Sequence, residues 1–209
     1  TLLAEAGPGT GKTLAYLIPA LLFVQANGQP VVVSTSTHSL QEQLLTKDVP
    51  DALRALDLEG RIRVASLKGR GNYLCLRRLE RALSRPELPA GEALFLSRLL
   101  VWLETTSSGD GGELNLLPPE EPLWNALTAQ NDGEGEVCPY MKEGTCFLAR
   151  ARREAQAADL VVTNHALLLA DAAHGSSILS HCHHLILDEA HHLDREATEQ
   201  FGQRVSVLL

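Results

Sequence analysis

Aromatic residues are scarce in this chain, at 4% of 209 residues, so any core must be built from Leu, Val, Ala and Ile rather than from packed rings. Positive charge is also in short supply. Lys and Arg number 18 against 26 Asp and Glu, a formal net charge of −8. A chain of that sign does not coat nucleic acid by bulk electrostatics, and any such contact must come from local patches. No apolar run approaches the length of a membrane span, and no secretion leader is visible, so no membrane partner is expected. Cysteine is limited to four residues. Without a secretion signal these point to a reducing compartment, expected to be the cytoplasm, where thiols ligate metal or stay free more often than they form disulfides. No internal repeat is evident. Hydrophobic content of 44% and charged content of 21% are ordinary for a soluble globular domain, and the length suits one domain with room for an insertion.

The stretch Ala6-Gly7-Pro8-Gly9-Thr10-Gly11-Lys12-Thr13 organises the rest. It follows a short apolar run, Thr1-Leu-Leu-Ala4, that reads as a strand, and it precedes a long apolar run from Leu14 that reads as a helix. Strand, Gly-rich turn and Gly-Lys-Thr at a helix start make a phosphate-binding loop. Glycines let successive backbone N–H groups curl around an anion, and the helix N-terminus adds its positive dipole end. Lys12 would reach the β- and γ-phosphates of ATP, and the Thr13 hydroxyl would hold Mg²⁺. The general pattern has Gly six places before the Lys; here that place is Ala6.

Val31–Thr35 is a β-branched run that reads as a buried parallel strand. A helix is expected from Leu40 toward Leu58, and a third strand over Arg61–Ser66. Strands alternating with helices imply βαβ units, a parallel sheet and ligands at the strands' carboxyl ends. From about Lys68 to Arg153 that rhythm stops. Helical patches are separated there by loop chemistry such as Ser107-Ser-Gly-Asp-Gly-Gly112 and Pro118-Pro119. The rhythm returns with a helix near Ala149–Ala158, a strand over Asp159–Thr163, and His184-Leu-Ile-Leu-Asp188-Glu189-Ala190-His191. The expected class is α/β: a parallel sheet with helices on both faces, interrupted by a mostly helical, Cys-containing insertion. Boundaries are expected at 1–66, 67–153 and 154–209. Thr1 lies inside the expected first strand and Arg204–Leu209 looks like a strand cut short, so a piece of a longer polypeptide is expected.

An apolar strand ending in Asp-Glu downstream of a phosphate loop is the second half of a nucleotide site. Burial of the strand brings the carboxylates out at its end. Asp188 would hold Mg²⁺, and Glu189 would orient or deprotonate the attacking water. His191 is a candidate for coupling nucleotide state to the rest of a motor, and His192 reads as a surface residue.

Several motifs together resemble a known family. Glu5–Thr13 resembles motif I of superfamily 2 helicases, and Val31–Leu44 looks like their motif Ia. Leu67-Lys-Gly-Arg-Gly-Asn-Tyr-Leu-Cys75 is similar to the segment carrying the first cluster cysteine in the DinG/XPD family of iron–sulfur DNA helicases. Cys138, Cys146, Ala158-Asp-Leu-Val-Val-Thr-Asn-His-Ala-Leu-Leu168 and Asp188–His191 complete the family order, with bacterial DinG-like members fitting best. The resemblance implies a RecA-like motor domain, ATP-driven 5′→3′ movement on single-stranded DNA, a role in DNA repair, and a second RecA-like domain that supplies an arginine finger. Residues 1–209 alone are therefore expected to bind nucleotide weakly and barely hydrolyse it.

The family usually places four cysteines around a [4Fe–4S] cluster, where soft thiolates suit iron and sulfide. Three are matched here: Cys75, Cys138 and Cys146. The stretch before Cys138 has no cysteine, and Cys182 sits beside the motif II strand, the wrong place for a fourth ligand. Asp132 or Glu134 completing the cluster, an incomplete or three-iron cluster, and loss of the cluster with thiols buried or on zinc all remain open. Cys182 itself reads as a small buried hydrophobe. For DNA, Thr35, Ser36 and Thr37 at a strand's carboxyl end are candidates by resemblance, with Lys68, Arg70, Arg77, Arg78 and Arg81 beside the first cysteine and Arg150, Arg152 and Arg153 after the last. Tyr73 is a candidate base-stacking ring. Asn164 and His165 sit at another strand end without an assigned role. Two rivals stand beside this reading. One is another phosphate-loop enzyme, AAA+-type or kinase. The other is a DNA-binding module whose ATPase has decayed; intact Lys12, Thr13, Asp188 and Glu189 speak against it.

Overall fold

The computed structural model describes residues 1–7, 9–131, 138–173, 175 and 178–202. In chain order the helices are α1 (Lys12–Asn27), α2 (His38–Gln43), α3 (Val49–Ala55), α4 (Leu76–Leu83), α5 (Ala90–Leu103), α6 (Glu121–Leu127), α7 (Pro139–Lys142), α8 (Phe147–Ala157), α9 (His165–Ala173) and α10 (Leu193–Phe201). The strands are β1 (Val31–Thr35), β2 (Val64–Ser66), β3 (Leu160–Asn164) and β4 (His184–Leu187). The chain divides into two compact units, one of 1–67 with 154–209 and one of Lys68–Arg153.

The first unit is an α/β sheet of four parallel strands in the order β2-β3-β1-β4. Every residue of β1 and of β3 is buried, as β-branched runs covered on both faces require. Val31, Val33, Leu160 and Val162 project to one side and pack with Leu17, Leu21 and Val24 of α1 and with Leu44, Val49 and Leu53. Val32 and Val161 project to the other side and are buried as well. Register aligns Ser34 with Thr163 and with Leu187, and Thr35 with Asn164, so the carboxyl ends of three strands finish level.

Three local expectations change. Thr1–Ala4 forms no strand: it is exposed, with Leu2 at 91% and Leu3 at 90%, and joins no ladder among the described residues. A strand exists only where a neighbour takes its N–H and C=O groups, and periodicity cannot supply the neighbour. The helix after β1 is interrupted by a π-helical turn at Leu44–Asp48. Pro50 lacks an N–H and its ring crowds the Thr46 carbonyl, which widens the preceding turn. The third strand begins only at Val64. The Arg204–Leu209 stretch lies outside the described residues.

The second unit is mostly helical. Phe95, Leu96 and Leu99 of α5 are buried, as are Leu79 of α4 and Trp124 and Leu127 of α6. Tyr73 and Leu74 run extended between two loops, bridging antiparallel to Asp110 and Thr128.

Candidate functional site

The Gly-rich loop turns as its glycines permit. Gly9 and Gly11 have φ of 73° and 81°, values that a side chain disfavours. Thr10 closes the loop by donating its hydroxyl to the Gly7 carbonyl at 2.8 Å. Pro8 lies outside the described residues. Left-handed Gly11 then hands the chain to α1, whose first residues are Lys12 and Thr13.

β4 delivers the acids to the same place. The Asp188 N–H donates to the Ser34 carbonyl at 2.8 Å, which carries the ladder one residue past β4. Glu189 then takes the left-handed conformation, φ 54° and ψ 43°, uncommon for a residue with a side chain and a form of strain that collects at functional sites. Lys12 Nζ donates to Glu189 Oε1 at 2.8 Å. The pairing raises the Lys12 pKa and lowers that of Glu189, each chiefly through this hydrogen bond, so both stay ionised at neutral pH. The two side chains are 34% and 27% exposed, so the pair is reachable from solvent. His191 Nδ1 lies 3.4 Å from Glu189 Oε2, with its ring against that of His192 at 4.0 Å between centroids.

Tyr16 is a site residue that no motif marks. Its hydroxyl donates to Asp188 Oδ2 at 3.1 Å and also bonds the Thr13 side chain. Burial, and then the Asp188 charge, push its pKa far up, so it remains a donor. The one available signal is its position a helical turn beyond Lys12 on the same face. Thr13 and Asp188 thus converge on a single hydroxyl. Both are hard oxygen donors, the kind that suits Mg²⁺.

The DNA candidates are placed less uniformly. Ser36 is half-buried and Arg70 exposed. Thr35 is fully buried, its hydroxyl donating to the Thr37 carbonyl at 3.1 Å. Thr37 is exposed and caps α2 by accepting the Leu40 N–H at 3.2 Å. The Lys68 side chain is only 12% exposed and pairs with Asp110. Tyr73 is buried, and its hydroxyl oxygen accepts the Lys68 N–H at 3.0 Å, so it offers no open face for a base. Arg78 donates to the Ala126 carbonyl and Arg150 to that of Ser107.

Cys75, Cys138 and Cys146 all fall in the second unit, the first two buried. Among the described residues no three His, Cys, Asp or Glu side chains come together as a group able to hold a metal ion. Asp132 and Glu134 lie outside the described residues. Cys182 is only partly buried, where a small buried hydrophobe is expected.

No family model matches the sequence. Curated proteins do. The chain is 40% identical over 212 residues to the ATP-dependent DNA helicase YoaA of Haemophilus influenzae, covering 99% of this chain and 32% of the relative. The ATP-dependent helicase DinG of Mycobacterium tuberculosis is 38% identical over 218 residues, 94% of this chain and 32% of the relative. The chain resembles the DinG and YoaA helicases. A third relative, 39% identical over 206 residues, is named 3′-5′ exonuclease DinG in Bacillus subtilis, and there the match spans 99% of this chain but 22% of the relative. The chain therefore spans between about a fifth and a third of the length of these curated relatives. Among the described residues no helix is long and apolar enough to cross a membrane.

Proposed function

We propose that this chain is the nucleotide-binding motor unit of an ATP-dependent DNA helicase that moves 5′→3′ along single-stranded DNA, working with a second RecA-like domain. The observation that carries this reading is the 2.8 Å contact between Lys12 and Glu189, which lie 177 positions apart. One comes from a phosphate-type loop and the other from the end of an apolar strand, and both meet at the carboxyl ends of a parallel sheet. In this reading the loop N–H groups and Lys12 hold the ATP phosphates. Thr13 and Asp188 hold Mg²⁺, which neutralises phosphate charge when bound. Tyr16 orients Asp188, and Glu189 takes a proton from the attacking water.

Ser36 and Arg70, each on its own unit, are offered to DNA phosphates, while Thr35 and Lys68 act from behind by holding Thr37 and Asp110. No step of this reading is routed through an iron–sulfur cluster, whose candidate ligands Asp132 and Glu134 lie outside the described residues. Exonuclease chemistry is not assigned either, because that name belongs to a relative of which 22% is matched.

The test uses the full-length polypeptide containing this chain. ATP turnover is expected to require single-stranded DNA, duplexes with a 5′ tail to be unwound in preference to those with a 3′ tail, and Lys12→Ala to abolish both activities. Turnover indifferent to DNA, or unwinding from the 3′ tail, would overturn the proposal. Residues 1–209 alone are expected to bind nucleotide and turn it over slowly, since an arginine finger contributes about 10³–10⁵ in rate.

A further inference from the structure

His165 opens α9 at the carboxyl end of β3 and is 0% exposed. Its Nδ1 lies 2.7 Å from the Ser34 hydroxyl. Its Nε2 is buried with no hydrogen-bond partner among the described residues. A buried polar atom left unmatched costs free energy, and a retained one asks for an explanation.

The surroundings supply one. Burial drives the imidazole toward its neutral form, and the backbone of Asp188 and Glu189 lies near enough to oppose that shift in part. A neutral ring has one donor and one acceptor. In one tautomer Ser34 donates to Nδ1, leaving Nε2–H facing the turn that carries both acids. Ser34 is itself a junction, fully buried, with its carbonyl accepting the Asp188 N–H at 2.8 Å. The next residue, Thr35, donates to the Thr37 carbonyl, and Thr37, His38 and Ser39 are exposed at the loop after β1. Backbone connection from Ser34 to Thr35, with the polar contacts on either side of it, thus joins that exposed loop to the Asp188–Glu189 turn, and Nε2 is the ring atom left without a hydrogen bond.

We propose that His165 is a positioning residue for Glu189: held by Ser34 through Nδ1, it closes an Nε2–H bond to a carbonyl of the Asp188–Glu189 turn when single-stranded DNA occupies the loop after β1. The strained left-handed backbone at Glu189 is the element this bond biases, because a small rotation there redirects the carboxylate. His165 touches neither nucleotide nor DNA and acts through Glu189. The inference rests on the helicase reading above.

The experiment is a double-mutant cycle in the full-length polypeptide with Ser34→Ala, His165→Asn and the two combined. ATP turnover is measured with and without single-stranded DNA, beside affinity for a fluorescent ATP analogue and for DNA. The expected result is a fall of about tenfold in DNA-stimulated kcat for each single variant, with KM for ATP and DNA affinity within about twofold of wild type. The double variant is expected to be no worse than either single one. His165→Gln, whose amide reaches the Nε2 position, is expected to restore part of the loss. A purely structural role would instead lower stability and both affinities together. Should His165→Asn fail to fold, Ser34→Ala, which removes a single oxygen, carries the test. Single variants with wild-type stimulation, or losses that multiply in the double variant, overturn this inference alone. A wild-type protein that binds nucleotide but shows no DNA-dependent turnover overturns the helicase reading and this inference with it.

Discussion

Lys12 and Glu189 form a 2.8 Å ion pair across the end of the sheet, so the ammonium assigned to phosphate and the carboxylate assigned to water hold each other. Binding of a triphosphate must therefore compete with Glu189 for Lys12. Glu189→Gln is expected to cut turnover about 100-fold, in line with loss of a general base. The same change frees the ammonium and is expected to tighten nucleotide binding only modestly, since a solvent-reachable ion pair is weak. Steady-state turnover and titration with a fluorescent nucleotide check both; weaker binding by the Gln variant would show that Glu189 does not restrain Lys12.

Tyr16→Phe keeps the ring and removes the donor to Asp188. A hydrogen bond to a charged group contributes about 1.5–3 kcal/mol. The Mg²⁺ concentration for half-maximal turnover is expected to rise about tenfold, and the melting temperature to fall by about a few degrees. An unchanged Mg²⁺ dependence would remove Tyr16 from the site.

Asp159 joins the entry of β3 to Arg63 by hydrogen bonds to both the side chain and the backbone N–H of Arg63. The Arg63 guanidinium holds its carboxyl below the ordinary 3.8. A group whose folded-state pKa is depressed contributes stability that is present above its unfolded value and lost as pH falls through the folded one. Urea midpoints are expected to drop below about pH 4, and Asp159→Asn is expected to lower the midpoint at pH 7 while flattening the acid limb. Equal acid limbs in the two proteins would contradict the pairing.

Burial pushes the Cys182 thiol up to about 11. At pH 8 about one molecule in a thousand then carries the reactive thiolate. Alkylation of Cys182, followed by peptide mass spectrometry, is expected to speed up about tenfold per pH unit from 7 to 10. A plateau near pH 8.5 would mark an ordinary exposed thiol.

Gly109 has φ of 65°, and a Cβ added there would fall 2.2 Å from the ring of buried Phe147. Gly109→Ala is expected to destabilise the second unit by about 1–3 kcal/mol, the usual cost of overpacking. The readout is the urea midpoint followed by fluorescence of Trp102 and Trp124, whose rings sit 6.1 Å apart in that unit. An unchanged midpoint would show that the ring moves aside freely.

The phosphate loop, the buried strands β1 and β3 and the acid-ending β4 are legible in sequence because each depends on neighbouring residues. Glycines grant left-handed turns wherever they stand, β-branched runs favour the extended chain, and a polar pair after an apolar run must emerge where burial ends. The pairing of Lys12 with Glu189 is half-legible: the motifs name the partners but not the contact.

Tertiary structure alone decided the rest. Whether Thr1–Ala4 becomes a strand depends on a neighbour that no local pattern encodes. Thr35 and Tyr73 look like surface contacts by motif position, yet strand register and loop packing bury both. Tyr16 reaches Asp188, and His165 reaches Ser34, only because the order β2-β3-β1-β4 sets β1 between β3 and β4 with their carboxyl ends level. Local propensity is a property of consecutive residues, whereas these contacts join positions more than a hundred apart and exist only once parallel strands have chosen their partners.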